Sequence, residues 1–141
     1  MIFDKKYSRC EQNQPIVTSE ENGNAHVLNN KSRSNVYQFL IDGDIVSVRD
    51  GQRCDFIVEA EGASFHNAYV IELKGSDLKK AIGQIRKTIQ DYASELSGCD
   101  ILPRIIIHKV ATHDINGKEY RDLKKQYPGT IVKVRKYVDT V

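Results

Sequence analysis

Short apolar runs separated by turn-forming residues dominate the chain and predict a protein rich in strands. Val36–Ile41 is typical, because β-branched and aromatic residues fill it. Glycine, asparagine and aspartate indicate turns between the runs, as in Glu20–Asn24 and Asp42–Asp44. The polar residues 1–15 and the segment 113–117 are predicted to be irregular, the former as a short helix or an unpacked arm. We predict strands at residues 16–18, 25–28, 36–41, 45–48, 55–60, 67–73, 101–110 and 130–138.

One long amphipathic helix is predicted directly after the strand at residues 67–73. Its apolar residues recur at three- and four-residue steps, so one stripe of the helix should face a sheet. The stripe consists of Leu78, Ile82, Ile85, Ile89, Tyr92 and Leu96. Ser76 or Asp77 can cap the N-terminus of this helix, and the Ser97–Gly98 pair ends it.

The order of these elements predicts the fold class. The short connector 61–66 favours an antiparallel pairing of strands 55–60 and 67–73. The strand at 101–110 follows the helix, so it can lie parallel to strand 67–73 through a right-handed crossover. A second, shorter helix is predicted at 118–127. We therefore expect an α/β (α+β) fold with a mixed central sheet flanked by helices, in a single domain over residues 1–141.

The composition argues against a membrane-spanning or disulfide-bonded protein. No apolar run approaches the roughly 20 residues of a membrane-spanning helix, and the first 15 residues contain no apolar signal core. Cys10, Cys54 and Cys99 are odd in number and far apart, which argues against a disulfide framework or a CxxC metal motif. Reduced thiols in the cytoplasm are the simplest interpretation, with no membrane partner.

The formal net charge is only +2, but the charge is distributed unevenly. Residues 1–71 contain seven Lys/Arg and ten Asp/Glu, whereas residues 118–141 contain seven Lys/Arg and three Asp/Glu. This asymmetry fits an acidic metal-binding half and a basic contact surface. It equally fits ordinary solvated faces, and the same alternatives apply to the basic residues of the long helix, which are Lys79, Lys80, Arg86 and Lys87.

Three charged residues on two apolar strands form the strongest candidate site. Side chains alternate along a strand, so Glu72 and Lys74 point to the same face. Asp55 begins the preceding strand. Burying such groups costs free energy unless they have a partner, a metal or a catalytic role. Asp55, Glu72 and the Leu73 carbonyl could offer oxygen ligands to Mg²⁺, while Lys74 could hold or deprotonate an attacking water.

Other interpretations of these residues are less specific. Lys74 could be a surface residue paired with Glu72, with Asp55 capping a turn. Cys54 could be a nucleophile, although a small buried hydrophobe is favoured. The histidines lack the ligand spacing of a zinc site. His26 and His66 are interpreted as solvated, and His108 and His113 as core or loop residues.

The sequences Arg53-Cys54-Asp55-Phe56 and Glu72-Leu73-Lys74-Gly75 resemble the PD-(D/E)xK nuclease superfamily, which has the restriction-endonuclease-like fold. The resemblance covers roughly residues 25–110 and implies an αβββαβ core. It implies that Asp55 and Glu72 bind metal, that Lys74 is catalytic and that Gln84 adds a polar group from the helix. Glu20 or Glu21 would match an acidic residue on the family's N-terminal helix. The family's usual proline is replaced by Cys54.

This resemblance implies an Mg²⁺- or Mn²⁺-dependent nuclease that hydrolyses phosphodiester bonds, with DNA as the expected substrate. An endonuclease in a restriction, repair or mobile-element defence system would fit. The alternative is a catalytically inactive nuclease-fold domain that serves as a nucleic-acid-binding or assembly module. The small size of the chain suggests a homodimer or a partner subunit in either case.

Overall fold

The computed structural model describes residues 1–45, 53–73 and 75–141. It contains two mixed sheets and few helices. The strands are β1 (Ile16–Glu21), β2 (Asn24–Asn29), β3 (Asn35–Leu40), β4 (Phe56–Glu61), β5 (His66–Glu72), β6 (Asp100–Ile107), β7 (Ile131–Val134) and β8 (Lys136–Thr140). The helices are α1 (Leu78–Asp91), α2 (Thr112–Ile115) and α3 (Lys118–Gln126), with a 3₁₀ turn at Lys5–Tyr7 and a π turn at Ile41–Ile45.

A five-stranded central sheet has the order β3-β4-β5-β6-β7. Strands β3, β4 and β5 pair antiparallel, and β6 lies parallel to β5 because α1 carries the chain back across the sheet. Strand β7 continues the sheet parallel to β6. The predicted α/β (α+β) class, with antiparallel strands followed by a crossover helix and further strands, is confirmed.

The central sheet is covered on both faces, which explains why most residues of β4 and β5 are buried. Side chains that alternate on these strands enter two different cores. Ile57 and Val70 pack on the side of α1, with Ile85 of that helix. Val58 and Ile71 enter the other core. On that second side the small sheet, with the order β1-β2-β8, contributes apolar side chains from β1 and β2.

Helix α1 begins where the sequence predicted and ends earlier. The Asp77 side chain accepts a hydrogen bond from the Lys80 backbone nitrogen at 3.1 Å, so Asp77 is the N-cap. The predicted apolar stripe faces the sheet, with Leu78 and Ile85 buried. The helix ends at Asp91 instead of reaching residue 97, and turns continue the chain to β6.

The predicted strand at residues 130–138 is two strands that belong to different sheets. Arg135 has a positive φ of 70°, which breaks the extended backbone between β7 and β8. Strand β7 pairs with β6, whereas β8 pairs parallel with β2. The alternating sequence runs unchanged across the break, so its pattern did not reveal the change of sheet.

Two other segments also differ from the prediction. Residues 112–115 form helix α2 instead of loop, and residues 20–21 belong to β1, so the turn is confined to Asn22 and Gly23. The predicted return strand at 45–48 lies outside the described residues apart from Ile45.

In the described ranges, no helix combines the length and the apolar character that crossing a bilayer would require.

Candidate functional site

Asp55 and Glu72 lie at the same end of the two central strands. Asp55 immediately precedes β4, and Glu72 is the last residue of β5. The antiparallel register pairs Phe56 with Ile71, so the two acids are neighbours across the strand pair. Asp55 is 1% exposed and Glu72 is fully buried. Two carboxylates withdrawn from water at one strand end are the main polar feature that the sequence predicted here.

Backbone hydrogen bonds fix the position of Asp55. Its carboxylate Oδ2 accepts a hydrogen bond from the Leu73 backbone nitrogen at 2.7 Å. Its own nitrogen donates to the Ile71 carbonyl at 3.0 Å, and its carbonyl accepts from Ile41 at 2.9 Å. One bond to the carboxylate and two to the backbone of Asp55 thus give its side chain a defined position at the strand end.

Helix α1 is attached to the strand end that carries the acids. The Cys54 backbone nitrogen donates to Thr88 Oγ1 at 2.8 Å, and this hydroxyl donates to the Gln84 carbonyl at 2.8 Å. Gln84 is 8% exposed. Glu72 shares its strand face with Val70, which packs on the α1 side. The predicted residues Asp55, Glu72 and Gln84 therefore belong to one region between the sheet and α1.

The two carboxylates affect the pKa of the neighbouring Cys54 thiol. Burial raises the pKa of the thiol, and the negative charges of Glu72 and Asp55 raise it further. A buried thiol with a raised pKa stays protonated and makes a poor nucleophile. Cys54 is fully buried, so the prediction of a small buried hydrophobe at this position is confirmed.

Leu73, the predicted carbonyl ligand, already has one hydrogen-bond donor. Asn24 Nδ2 donates to the Leu73 carbonyl at 2.7 Å from the beginning of β2. A carbonyl has two lone pairs, so this bond leaves one for another partner. Asn24 is fully buried, and among the described residues its Oδ1 has no hydrogen-bond partner. Sequence reasoning did not identify Asn24, because it lies 49 positions from Leu73.

Lys74, the predicted catalytic lysine, lies outside the described residues. Its neighbour Gly75 has a positive φ of 69°, and the Gly75 carbonyl accepts a hydrogen bond from the His108 nitrogen at 3.1 Å. The His108 ring Nδ1 is buried and makes no hydrogen bond within the described part of the chain. This histidine follows β6, which runs parallel to β5. It therefore stands near the strand end that carries Glu72.

The acidic residue that the family resemblance would place on an N-terminal helix is not supplied by Glu20 or Glu21. Glu20 and Glu21 belong to strand β1, and the helical turn before it is the 3₁₀ turn Lys5–Tyr7. The N-terminal segment is not an unpacked arm, since Ile2 is 6% exposed and Phe3 packs edge-on against Phe39.

Two of the four basic residues of α1 line a groove of mixed charge beside α3. Lys79 and Arg86 lie there opposite Glu119 and Asp122. Arg86 donates a hydrogen bond to Gln126 Oε1 at 2.8 Å. The groove could contact a phosphate backbone through its cations, and it fits an ordinary solvated helix pair equally well.

Both histidines that were predicted to be solvated lie against carboxylates, and the prediction is wrong for His26. His26 is fully buried, and its Nε2 lies 2.8 Å from Asp139 Oδ2. Arg104 makes two hydrogen bonds to the same carboxylate. His66 is half-buried, and its Nε2 lies 2.5 Å from Glu59 Oε2. The partners are distant in sequence or hidden in a strand pattern, so no motif indicated them.

Comparisons with known proteins gave no matching family model, curated protein or solved structure. Fold and site define the class only coarsely, as a mixed α+β protein with two buried carboxylates at one end of its central sheet. The resemblance suggested by the sequence motif therefore stays a prediction.

Proposed function

We propose that this chain is a metal-dependent nuclease of the PD-(D/E)xK type that hydrolyses phosphodiester bonds in DNA. The observation that carries the proposal is the pair of buried carboxylates, Asp55 and Glu72, at one end of adjacent central strands. Buried carboxylates are costly unless cations or hydrogen bonds compensate them. Oxygen ligands from two strands suit Mg²⁺ or Mn²⁺.

The arrangement of strands supports the restriction-endonuclease-like part of the proposal. Three antiparallel strands, β3 to β5, precede the crossover helix α1, and β6 returns parallel to β5. This order matches the βββαβ portion of the implied αβββαβ core. The described residues have β1 and β2 where the core would begin with a helix, so a nuclease here would lack that helix and its acidic residue.

The proposed roles follow from the chemistry of each side chain. Asp55 and Glu72 would hold the divalent cation, which when bound lowers the pKa of a water ligand and polarises a phosphoryl oxygen. Lys74 would orient or deprotonate the attacking water, or neutralise charge on the phosphate. Gln84 would contribute a polar group from α1.

A cleavage assay with single substitutions tests the proposal. We expect the protein with Mn²⁺ or Mg²⁺ to cut linear, supercoiled or branched DNA, and EDTA to abolish cutting. Lys74→Ala should lower the cleavage rate by about 100-fold or more, the range for loss of a proton-transfer group. Asp55→Asn keeps an oxygen that can accept from the Leu73 nitrogen and removes the negative charge, so it should also abolish cutting.

Lys133→Ala is the matched control, because Lys133 is an exposed lysine on strand β7. Its cleavage rate should equal that of the wild type. Equal activity in the wild type and Lys74→Ala would show that the proposed site does not perform the cleavage. Metal-dependent DNA binding without cleavage would instead favour the inactive binding or assembly module.

A further inference from the structure

A second polar cluster lies at the opposite end of the same central strands. Glu59 is near the end of β4, His66 begins β5, and Cys99 immediately precedes β6. One ligand atom from each residue lies within 4.8 Å of the other two. Carboxylate, imidazole and thiolate are the three side-chain ligands that zinc uses most in proteins.

Glu59 is a preorganised member of this cluster. It is fully buried, and its Oε1 accepts a hydrogen bond from the Ile2 nitrogen at 2.7 Å. That bond leaves Oε2 directed at the His66 ring, 2.5 Å from Nε2. The Met1 amine lies 3.4 Å from the same oxygen and would compete with a metal for it.

His66 has the outer contact that metal-binding histidines usually have. Its Nδ1 lies 3.1 Å from Glu61 Oε2. A ligating histidine commonly donates its other ring N–H to a carboxylate, which fixes the orientation of the ring and strengthens the ligand. Glu61 can therefore hold Nδ1–H while Nε2 binds a metal.

Cys99 supplies the group that selects the metal. It is half-buried, and its backbone nitrogen donates to the Leu96 carbonyl at 3.0 Å directly after Gly98, whose φ is 89°. A turn fixed in this way holds the thiol beside β4 and β5. A thiolate ligand favours zinc over magnesium or calcium, which prefer oxygen.

We propose that Glu59, His66 and Cys99 bind one zinc ion, with water as the fourth ligand. Zinc bonds of about 2.0–2.3 Å in a tetrahedral site separate neighbouring ligand atoms by roughly 3.5 Å. The carboxylate and the imidazole, now 2.5 Å apart, must therefore move slightly apart, and the thiol starts from within 4.8 Å of both. Binding releases the thiol proton to solvent, and the proton in the hydrogen bond between His66 Nε2 and Glu59 Oε2 must leave as well, because both atoms become ligands. The ion would clamp together the ends of three central strands, independently of the proposed nuclease site.

Cobalt substitution tests this proposal, because Co²⁺ bound to a thiolate gives a charge-transfer absorption in the near ultraviolet. We expect the purified protein to develop that band with one equivalent of Co²⁺ and to lose it when Zn²⁺ is added. Cys99→Ser should abolish the band, and His66→Asn should weaken Co²⁺ binding by at least about 10-fold. Cys10→Ser is the matched control, since Cys10 is the other half-buried thiol, and it should keep the band.

Thermal unfolding gives a second readout. Zn²⁺ should raise the melting temperature of the wild type and of Cys10→Ser, and leave that of Cys99→Ser unchanged. Circular dichroism of metal-free Cys99→Ser checks that the variant folds. A thiolate band that persists in Cys99→Ser, or the absence of any band in the wild type, would overturn the proposal. Lys74→Ala should keep the band whether or not the protein cleaves DNA, so the two proposals can fail separately.

Discussion

The ion pair between Arg104 and Asp139 joins the two sheets, and breaking it should strongly destabilise the protein. Arg104 lies on β6 of the central sheet, and Asp139 on β8 of the small sheet. Arg104 Nε donates to Asp139 Oδ2 at 2.7 Å, and Nη2 donates to Oδ1 at 3.0 Å. The side chains are only 6% and 12% exposed. His26 adds a third contact to the carboxylate at 2.8 Å.

The chain offers a matched exposed pair with almost the same geometry. Arg9 Nε donates to Asp44 Oδ2 at 2.7 Å, and Nη2 donates to Oδ1 at 3.1 Å. These side chains are 50% and 31% exposed. The two pairs therefore differ in their access to water and in the third contact that His26 makes to Asp139.

The difference in burial sets the loss of unfolding free energy that we expect for each substitution. Asp139→Asn keeps the shape of the side chain but leaves the Arg104 guanidinium buried without its anion, which typically costs about 3–5 kcal/mol. We expect the lower part of that range, because Arg104 keeps its hydrogen bonds to the Pro103 and Gly129 carbonyls. Asp44→Asn should cost about 0–1 kcal/mol, as is usual for exposed ion pairs.

Urea unfolding at pH 7 measures both free-energy changes from the midpoint and the m value. Adding Arg104→Met to Asp139→Asn should recover part of the loss, because no buried charge then remains without a partner. Equal losses for Asp139→Asn and Asp44→Asn would refute the reasoning that burial sets the strength of the pair.

Unfolding at low pH tests whether the ionised Asp139 carboxylate stabilises the protein. Burial alone pushes the pKa of Asp139 upward, but the hydrogen bonds and charges of His26 and Arg104 outweigh burial and hold that pKa below its usual value. The ionised carboxylate therefore contributes stability above its unfolded pKa, which is about 3.9. That contribution is lost as the pH falls through the lower folded pKa. The stability gap between the wild type and Asp139→Asn should persist at pH 5–7 and narrow below about pH 4.

Two further substitutions test local contacts by urea unfolding. Asp77→Ala removes the N-cap of α1 and should cost about 1 kcal/mol, whereas the exposed neighbour Ser76, the other cap predicted from sequence, should tolerate alanine with little change. Thr88→Val keeps the side-chain shape but leaves the buried Cys54 nitrogen without its acceptor, so a loss of about 1–3 kcal/mol is expected. A loss in Ser76→Ala as large as in Asp77→Ala, or a neutral Thr88→Val, would contradict these assignments.

The sequence pattern was sufficient for the elements that are built from local periodicity. The apolar runs of β4, β5 and β6 and the stripe of α1 indicated a crossover between parallel strands, and the structure has one. The short connection between β4 and β5 fixes an antiparallel hairpin. That pairing brings Asp55 and Glu72 to the same strand end, so this part of the site could be predicted.

The failures arise where the apolar and polar pattern does not show the deciding contact or backbone conformation. His26 is buried because it meets Asp139, 113 positions away. The strand at 130–138 divides because Arg135 adopts a positive φ, although the alternation of apolar and polar residues continues through it. The pattern of apolar and polar residues predicts which apolar side chains are buried. It does not predict which polar side chains are buried together with a hydrogen-bond partner.

The distance between the two polar centres explains why one fold could accommodate both. Glu59 on β4 lies four positions after Asp55, which precedes that strand, or about 13 Å away at the rise of a strand. Substitution effects usually become independent beyond about 7–10 Å when no partners are shared. The apolar side chain of Ile57 lies between the two acids on the same face. Zinc could therefore stabilise one end of the strands while the carboxylates at the other end keep their own orientation, which a catalytic site requires.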